Sequence, residues 1–159
     1  MCAVNGIVYC IDGSSPDQIA TLKRRGIVNT SKPRLLALNA ATGKIVWSTE
    51  EDVFGTFLNY SREHGVLVQA GSLFRDRAKD EVGEGMVVYR GDSGAVVWKD
   101  LKLKYNGPCL LRHDKIITNG TGGFSIELLT GKKTGWKYQR MYGCNTAIGS
   151  EHLLTFRSG

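Results

Sequence analysis

One segment of this chain recurs three times, and the recurrence decides what it can fold into. The copies are Arg34-Leu-Leu-Ala-Leu-Asn-Ala-Ala-Thr-Gly-Lys-Ile-Val-Trp47, Gly85-Met-Val-Val-Tyr-Arg-Gly-Asp-Ser-Gly-Ala-Val-Val-Trp98 and Gly122-Gly-Phe-Ser-Ile-Glu-Leu-Leu-Thr-Gly-Lys-Lys-Thr-Gly-Trp136. Each is an apolar run, a Thr/Ser-Gly turn and a second run ending in Trp. Gly43, Gly94 and Gly131 lie 51 and 37 residues apart, and Trp47, Trp98 and Trp136, the only three tryptophans, lie 51 and 38 apart. The mean spacing is near the ~40–45 residues of a four-stranded propeller blade.

Turn chemistry explains the pattern. The glycine after each Thr or Ser supplies the positive φ that a tight hairpin needs. Asn39 can close its own turn through an Asx hydrogen bond. Each Trp then falls on the strand leaving the turn, where its ring can fill the gap to a neighbouring sheet and its N–H can find a carbonyl. In the third copy Trp136 follows Gly131 by five residues instead of four, which predicts a bulge.

Strand pairs fill the intervals: Phe54–Tyr60 with Gly65–Ala70, Gly107–Leu111 with Lys115–Asn119, and Asn145–Gly149 with His152–Arg157. With Ile7–Ile11 as the second strand of the first sheet, that sheet is expected to lack its first strand, and the last sheet its final two. The expected organisation is a partial blade over 1–50, blades over 51–101 and 102–140, and a partial blade over 141–159. Two insertions interrupt these units. Ser15 as N-cap, Pro16 at the first helical position, Gln18 in a capping box and Gly26 as terminator predict a short helix. The polar stretch Ser72–Glu84 reads as a loop.

Composition agrees. Glycine accounts for 20 of 159 residues and proline for only 3, which fits many tight turns and excludes collagen-like or Pro/Gly linker sequence. No apolar run approaches the ~18 residues of a membrane span. The first basic residue is Lys23 and Asp12 interrupts the apolar stretch, so the start does not read as a signal peptide but as a chain entering mid-domain. The net charge is +6, with most of the excess in the last third, where solvated lysines on strand edges account for it.

The hairpin Ala37–Trp47, with Gly-Lys-x-x-Trp at its end, resembles the repeat of PQQ-like β-propellers. The resemblance continues at 86–98, where Ser93 and Ala95 replace Thr and Lys, and loosely at 124–136. Regions 9–16 and 143–159 resemble large propeller proteins of planctomycete-type bacteria. This implies an all-β, incomplete propeller of four-stranded antiparallel blades with one inserted helix, in which Gly43, Trp47, Gly94, Trp98, Gly131 and Trp136 form a structural docking motif. It also implies an extracytoplasmic, periplasmic location and further blades in the same parent chain.

Chemistry is sparse by comparison. A PQQ-dependent alcohol or sugar dehydrogenase would bring adjacent cysteines, calcium-binding acidic residues and a catalytic Asp. Here Cys2, Cys10, Cys109 and Cys144 are all isolated, with disulfides Cys2–Cys10 or Cys109–Cys144 and free thiols all open. No zinc spacing occurs. His64, His113 and His152 fall at successive first turns, where they read as solvated rim residues and not as metal ligands. Asn119-Gly-Thr-Gly-Gly123 leads into a strand, so it is a turn and not a phosphate loop. Asp76, Asp80, Glu81 and Glu84 lack a calcium-loop register. Lys132, Lys133, Lys137 and Arg140 interleave with Trp136 and Tyr138, but the turn and the docking position account for them, so no nucleic-acid partner is expected. The sequence therefore predicts a non-catalytic scaffold without cofactor, offering its rim to a protein or small ligand; the alternative is part of a quinoprotein dehydrogenase with PQQ and calcium.

Overall fold

The computed structural model describes residues 1–14, 16–30, 32–54, 57–71, 84–119, 122–139, 147–150 and 152–155. Ser15, Arg140, Cys144, most of Ser72–Glu84 and much of the 143–159 stretch lie outside the described residues.

Among the described residues, three four-stranded antiparallel meanders and one two-stranded sheet follow one another. The first sheet is β1 (Cys2–Val4), β2 (Ile7–Asp12), β3 (Arg34–Asn39) and β4 (Ile45–Thr49); the helix α1 (Pro16–Arg24) is inserted between β2 and β3. The second is β5 (Phe57–Ser61), β6 (Val66–Ala70), β7 (Glu84–Arg90) and β8 (Val96–Lys104). The third is β9 (Asn106–Arg112), β10 (Lys115–Asn119), β11 (Gly123–Glu127) and β12 (Lys133–Tyr138), and the fourth is β13 (Ile148–Gly149) with β14 (Leu154–Thr155).

The first sheet corrects the sequence reading. Its first strand is present: Cys2, Ala3 and Val4 pair with Tyr9, Val8 and Ile7 across the Asn5-Gly6 turn. Three residues are too few to show alternation, and both turn residues take positive φ, Asn5 at 49° and Gly6 at 76°. Asn-Gly is the dipeptide that such a two-residue hairpin turn favours.

First strands of successive sheets are neighbours, with β1 beside β5, β5 beside β9 and β9 beside β13. The sheets therefore converge on their first strands and present their fourth strands outward. β6 shows how period-2 alternation serves two interfaces at once. Val66, Val68 and Ala70 pack with Met86, Val88, Cys109, Ile116, Ile126 and Leu128 toward the third sheet. Leu67, on the opposite face, packs with Tyr9, Leu35, Ala37, Val87 and Tyr89 toward the first. All five β6 residues are buried, as in a sheet covered on both faces.

Every third-to-fourth-strand hairpin has the same turn. Gly43, Gly94 and Gly131 donate to the carbonyls of Asn39, Arg90 and Glu127 at 2.8, 2.9 and 3.0 Å, with φ of 68°, 73° and 72°. Asn39 Oδ1 accepts from the amides of Ala41 and Thr42 at 3.0 and 2.9 Å, the expected Asx turn. A bulge was expected in the third hairpin and occurs there, between Phe124 and Ile126. It also occurs in the other two. Ala37 pairs with Trp47 and Leu38 with Ile45, leaving Val46 over, and Val97 is left over in the same way.

Candidate functional site

Several of the polar side chains buried between the sheets bond backbone groups of a neighbouring sheet. Trp47 Nε1 donates to the Gly91 carbonyl at 2.8 Å, and the Tyr9 hydroxyl donates to the same oxygen at 3.0 Å. Trp98 Nε1 donates to the Leu128 carbonyl at 2.7 Å. Gly94 and Gly131 lie directly beneath these rings, since a Cβ would come within 2.7 Å of Trp47 Cε3 and 2.8 Å of Trp98 Cδ2. Trp136 differs: its ring is 43% exposed and leans on Tyr138, centroids 5.2 Å apart. Gly43 has nothing within 4 Å of where a Cβ would stand.

Two further buried residues pin the connections between sheets, and neither stood out in the sequence. Gln69 donates through Nε2 to the Asp52 carbonyl at 2.8 Å, holding the link from β4 to β5. Tyr105, 5% exposed, accepts from the Gly71 amide and donates to the Gly85 carbonyl, both at 2.7 Å. It thereby ties together the two backbone ends flanking residues 72–83. Burial raises the Tyr105 and Tyr9 phenols far above their ordinary range and pushes Tyr89 up to about 12. A buried phenolate would lack solvation, so these rings stay neutral donors.

The cysteines are separate. Cys2 lies opposite Tyr9 in the ladder, so it shares that residue's face, whereas Cys10 points to the other. Alternation thus rules out the conceivable Cys2–Cys10 disulfide, and Cys2, Cys10 and Cys109 are free. Cys109 is wholly enclosed, which pushes its thiol up to about 12.

In an antiparallel meander the first and third turns fall at one end of each sheet. At that rim the structure brings two of the three histidines to one carboxylate: Glu63 lies 3.8 Å from His64 Nε2 and 3.4 Å from His113 Nδ1. His152 does not join them, and no grouping of three metal-ligating side chains occurs among the described residues. Beside His113 a cleft of about 360 Å³ opens between the third and fourth sheets, lined by Leu110, Leu111, Arg112, Ile117, Gly149 and Ser150. In the basic stretch, Lys133 Nζ lies 4.7 Å above the Phe124 ring and the Tyr138 hydroxyl donates to the Thr118 carbonyl at 2.6 Å.

Among the described residues no two cysteines are adjacent in sequence, and the convergent strands β1, β5 and β9 carry neither Asp nor Glu. Among the described residues no helix is long and apolar enough to cross a membrane.

No family profile matches the chain, and no curated protein does. Solved structures do. A europium-containing methanol dehydrogenase superposes with a TM-score of 0.54 at 13% identity over 87% of this chain and 24% of its own. BamB from Moraxella catarrhalis superposes with a TM-score of 0.51 at 17% identity over 76% of this chain and 36% of its own. The chain thus spans about a quarter and about a third of these two proteins. Convergent four-stranded meanders, repeated Trp-on-Gly contacts and these likenesses give one conclusion: the chain has a β-propeller fold of four-stranded antiparallel sheets.

Proposed function

We propose that this chain is a non-catalytic β-propeller scaffold, a binding module of a larger, extracytoplasmic PQQ-like repeat protein. Its rim holds a protein or small-ligand partner at the cleft beside His113. The observation that carries this reading is the use of the buried polar side chains. Tyr9, Trp47, Gln69, Trp98 and Tyr105 all bond backbone groups of a neighbouring sheet or of the connections between sheets. Such groups hold sheets in place and are not available for acid–base work. The cleft offers apolar walls with a cation, Arg112, and the His113 imidazole, the mix that orients a ligand.

The test is reconstitution. The purified chain, incubated with pyrroloquinoline quinone and calcium and then desalted, is expected to retain no quinone absorbance. Stoichiometric retention of the quinone would overturn the scaffold reading in favour of a quinoprotein dehydrogenase.

A further inference from the structure

The opposite rim of the first sheet carries a surface of another kind. Residues 18–34 contain Lys23, Arg24, Arg25, Lys32 and Arg34 and not one Asp or Glu. Arg34 is neutralised by Asp12 at 2.8 Å. Among the described residues, no carboxylate lies within ion-pair distance of Lys23, Arg24, Arg25 or Lys32; Arg24 bonds only the Thr21 hydroxyl. After the three consecutive cations and Gly26 come Ile27 and Val28, 52% and 81% exposed, and Ile19 on α1 is 39% exposed.

This tip is preformed. Gly26, at φ 73°, donates to the Lys23 carbonyl at 3.0 Å, and Ile27 donates to the Leu22 carbonyl at 2.9 Å. That pair of bonds is a Schellman closure. It holds Ile27 against the last turn of α1, beside the cations. Asn29 Nδ2 donates to Ser14 Oγ at 2.9 Å and closes the neck of the insertion. The nearby groove along α1 is lined by Ser14, Asp17, Gln18, Thr21 and Leu22, so it holds a carboxylate and a single aliphatic side chain. The exposed aliphatic residues Ile27 and Val28 are not in it.

We propose that the α1 insertion is a peripheral membrane contact for anionic lipid, with Ile27 and Val28 entering the headgroup–acyl boundary and Lys23, Arg24, Arg25 and Lys32 facing the phosphates. An exposed aliphatic pair outside the groove along α1, next in sequence to cations with no ion-pair partner among the described residues, suits a deformable anionic interface, where each cation adds attraction and the aliphatic pair adds burial. An acidic peptide could use the same cations but would leave Ile27 and Val28, which lie outside the groove along α1, without a role. The contact is independent of any partner at the cleft.

Flotation of the full chain with vesicles tests this, because self-associated protein sinks while vesicle-bound protein rises. The chain is expected to float with phosphatidylcholine/phosphatidylglycerol vesicles at low salt, to remain behind with pure phosphatidylcholine, and to be released by high salt. The double variant Ile27→Ser/Val28→Ser, at exposed positions that leave the fold intact by circular dichroism, is expected to lose about tenfold in partition, and Lys23→Gln/Arg24→Gln/Arg25→Gln about a hundredfold. Lys132→Gln/Lys133→Gln should float as the parent does. No flotation, equal flotation with both lipids, loss only in the Lys132/Lys133 variant, or full retention by the Ile27/Val28 variant would each overturn the proposal. Binding of an acidic peptide without flotation would overturn it too.

Discussion

The ring of Trp98 lies so close over Gly131 that a Cβ there would meet Cδ2 at 2.8 Å. A large side chain of one sheet thus rests on the backbone of the next, and its N–H bonds a carbonyl three residues before that glycine. Trp47 makes the same contact with Gly94 and Gly91. Removing either ring opens a cavity between two sheets. Trp47→Ala and Trp98→Ala should each cost about 3–5 kcal/mol by urea denaturation of a closed parent propeller. Trp136→Ala, at an exposed ring, should cost under about 1 kcal/mol, and a loss that small for Trp98→Ala would remove its docking role.

The glycines should separate by what lies over them. Gly43→Ala strains a backbone at φ 68° in open space, a cost of about 1–2 kcal/mol. Gly94→Ala meets the same strain and also the Trp47 ring at 2.7 Å, adding about 1–3 kcal/mol of overpacking. Equal melting shifts for the two variants would contradict the close approach.

Tyr105→Phe leaves the Gly71 amide and the Gly85 carbonyl buried without their partner. It should lower stability by about 1–3 kcal/mol, read as a shift in denaturation midpoint at unchanged slope.

Alkaline pH should loosen the stack. The Tyr9, Tyr89, Tyr105 and Cys109 pKa values are raised by burial from ordinary values of 10.0 and 9.0, those of Tyr89 and Cys109 to about 12. A group raised in the folded state contributes its stability in full below its unfolded pKa and loses it as pH rises toward the folded value. Melting temperature should therefore be insensitive to these groups below about pH 9 and fall progressively toward pH 12. A flat profile across that interval would show the four groups to be solvated.

The chain alone should self-associate at micromolar concentration. β13–β14 is two-stranded where the preceding sheets have four strands. Ile148 and Leu153 are 67% and 59% exposed, and open strand edges with apolar neighbours recruit other chains. Light scattering reporting a monomer with a sharp cooperative melt would refute this.

Much of the fold was legible because its signals are local. A Thr/Ser-Gly turn, an aliphatic run and a Trp at fixed spacing set each outer hairpin, and Pro16 with Gly26 bounded α1. The first strand is marked only by the Asn5-Gly6 turn, because Cys2–Val4 is too short for periodicity. The bulges before Trp47 and Trp98 were also hidden, since an extra residue in a run such as Ile45-Val46 or Val96-Val97 leaves no mark in composition. The candidate site was less legible still. Gln69, Tyr105 and the shared Gly91 carbonyl act across 15 to 82 residues of sequence, and nothing in their immediate neighbours announces a partner. His64 and His113 were placed on one rim by spacing, but that Glu63 lies between them depends on how two turns face each other.

Trp47 and Trp98 each reach forward, onto the glycine of the sheet that follows in the chain. The stack therefore has a polarity, like bricks with a stud on one side and a recess on the other. A tandem duplication of one whole sheet would supply a new stud and a new recess together, in the right order, and both neighbours would still fit. Such a molecule can lengthen by copying alone, whereas exchanging only the outer hairpin, or only the turn, would leave an indole without a floor or a glycine without a roof.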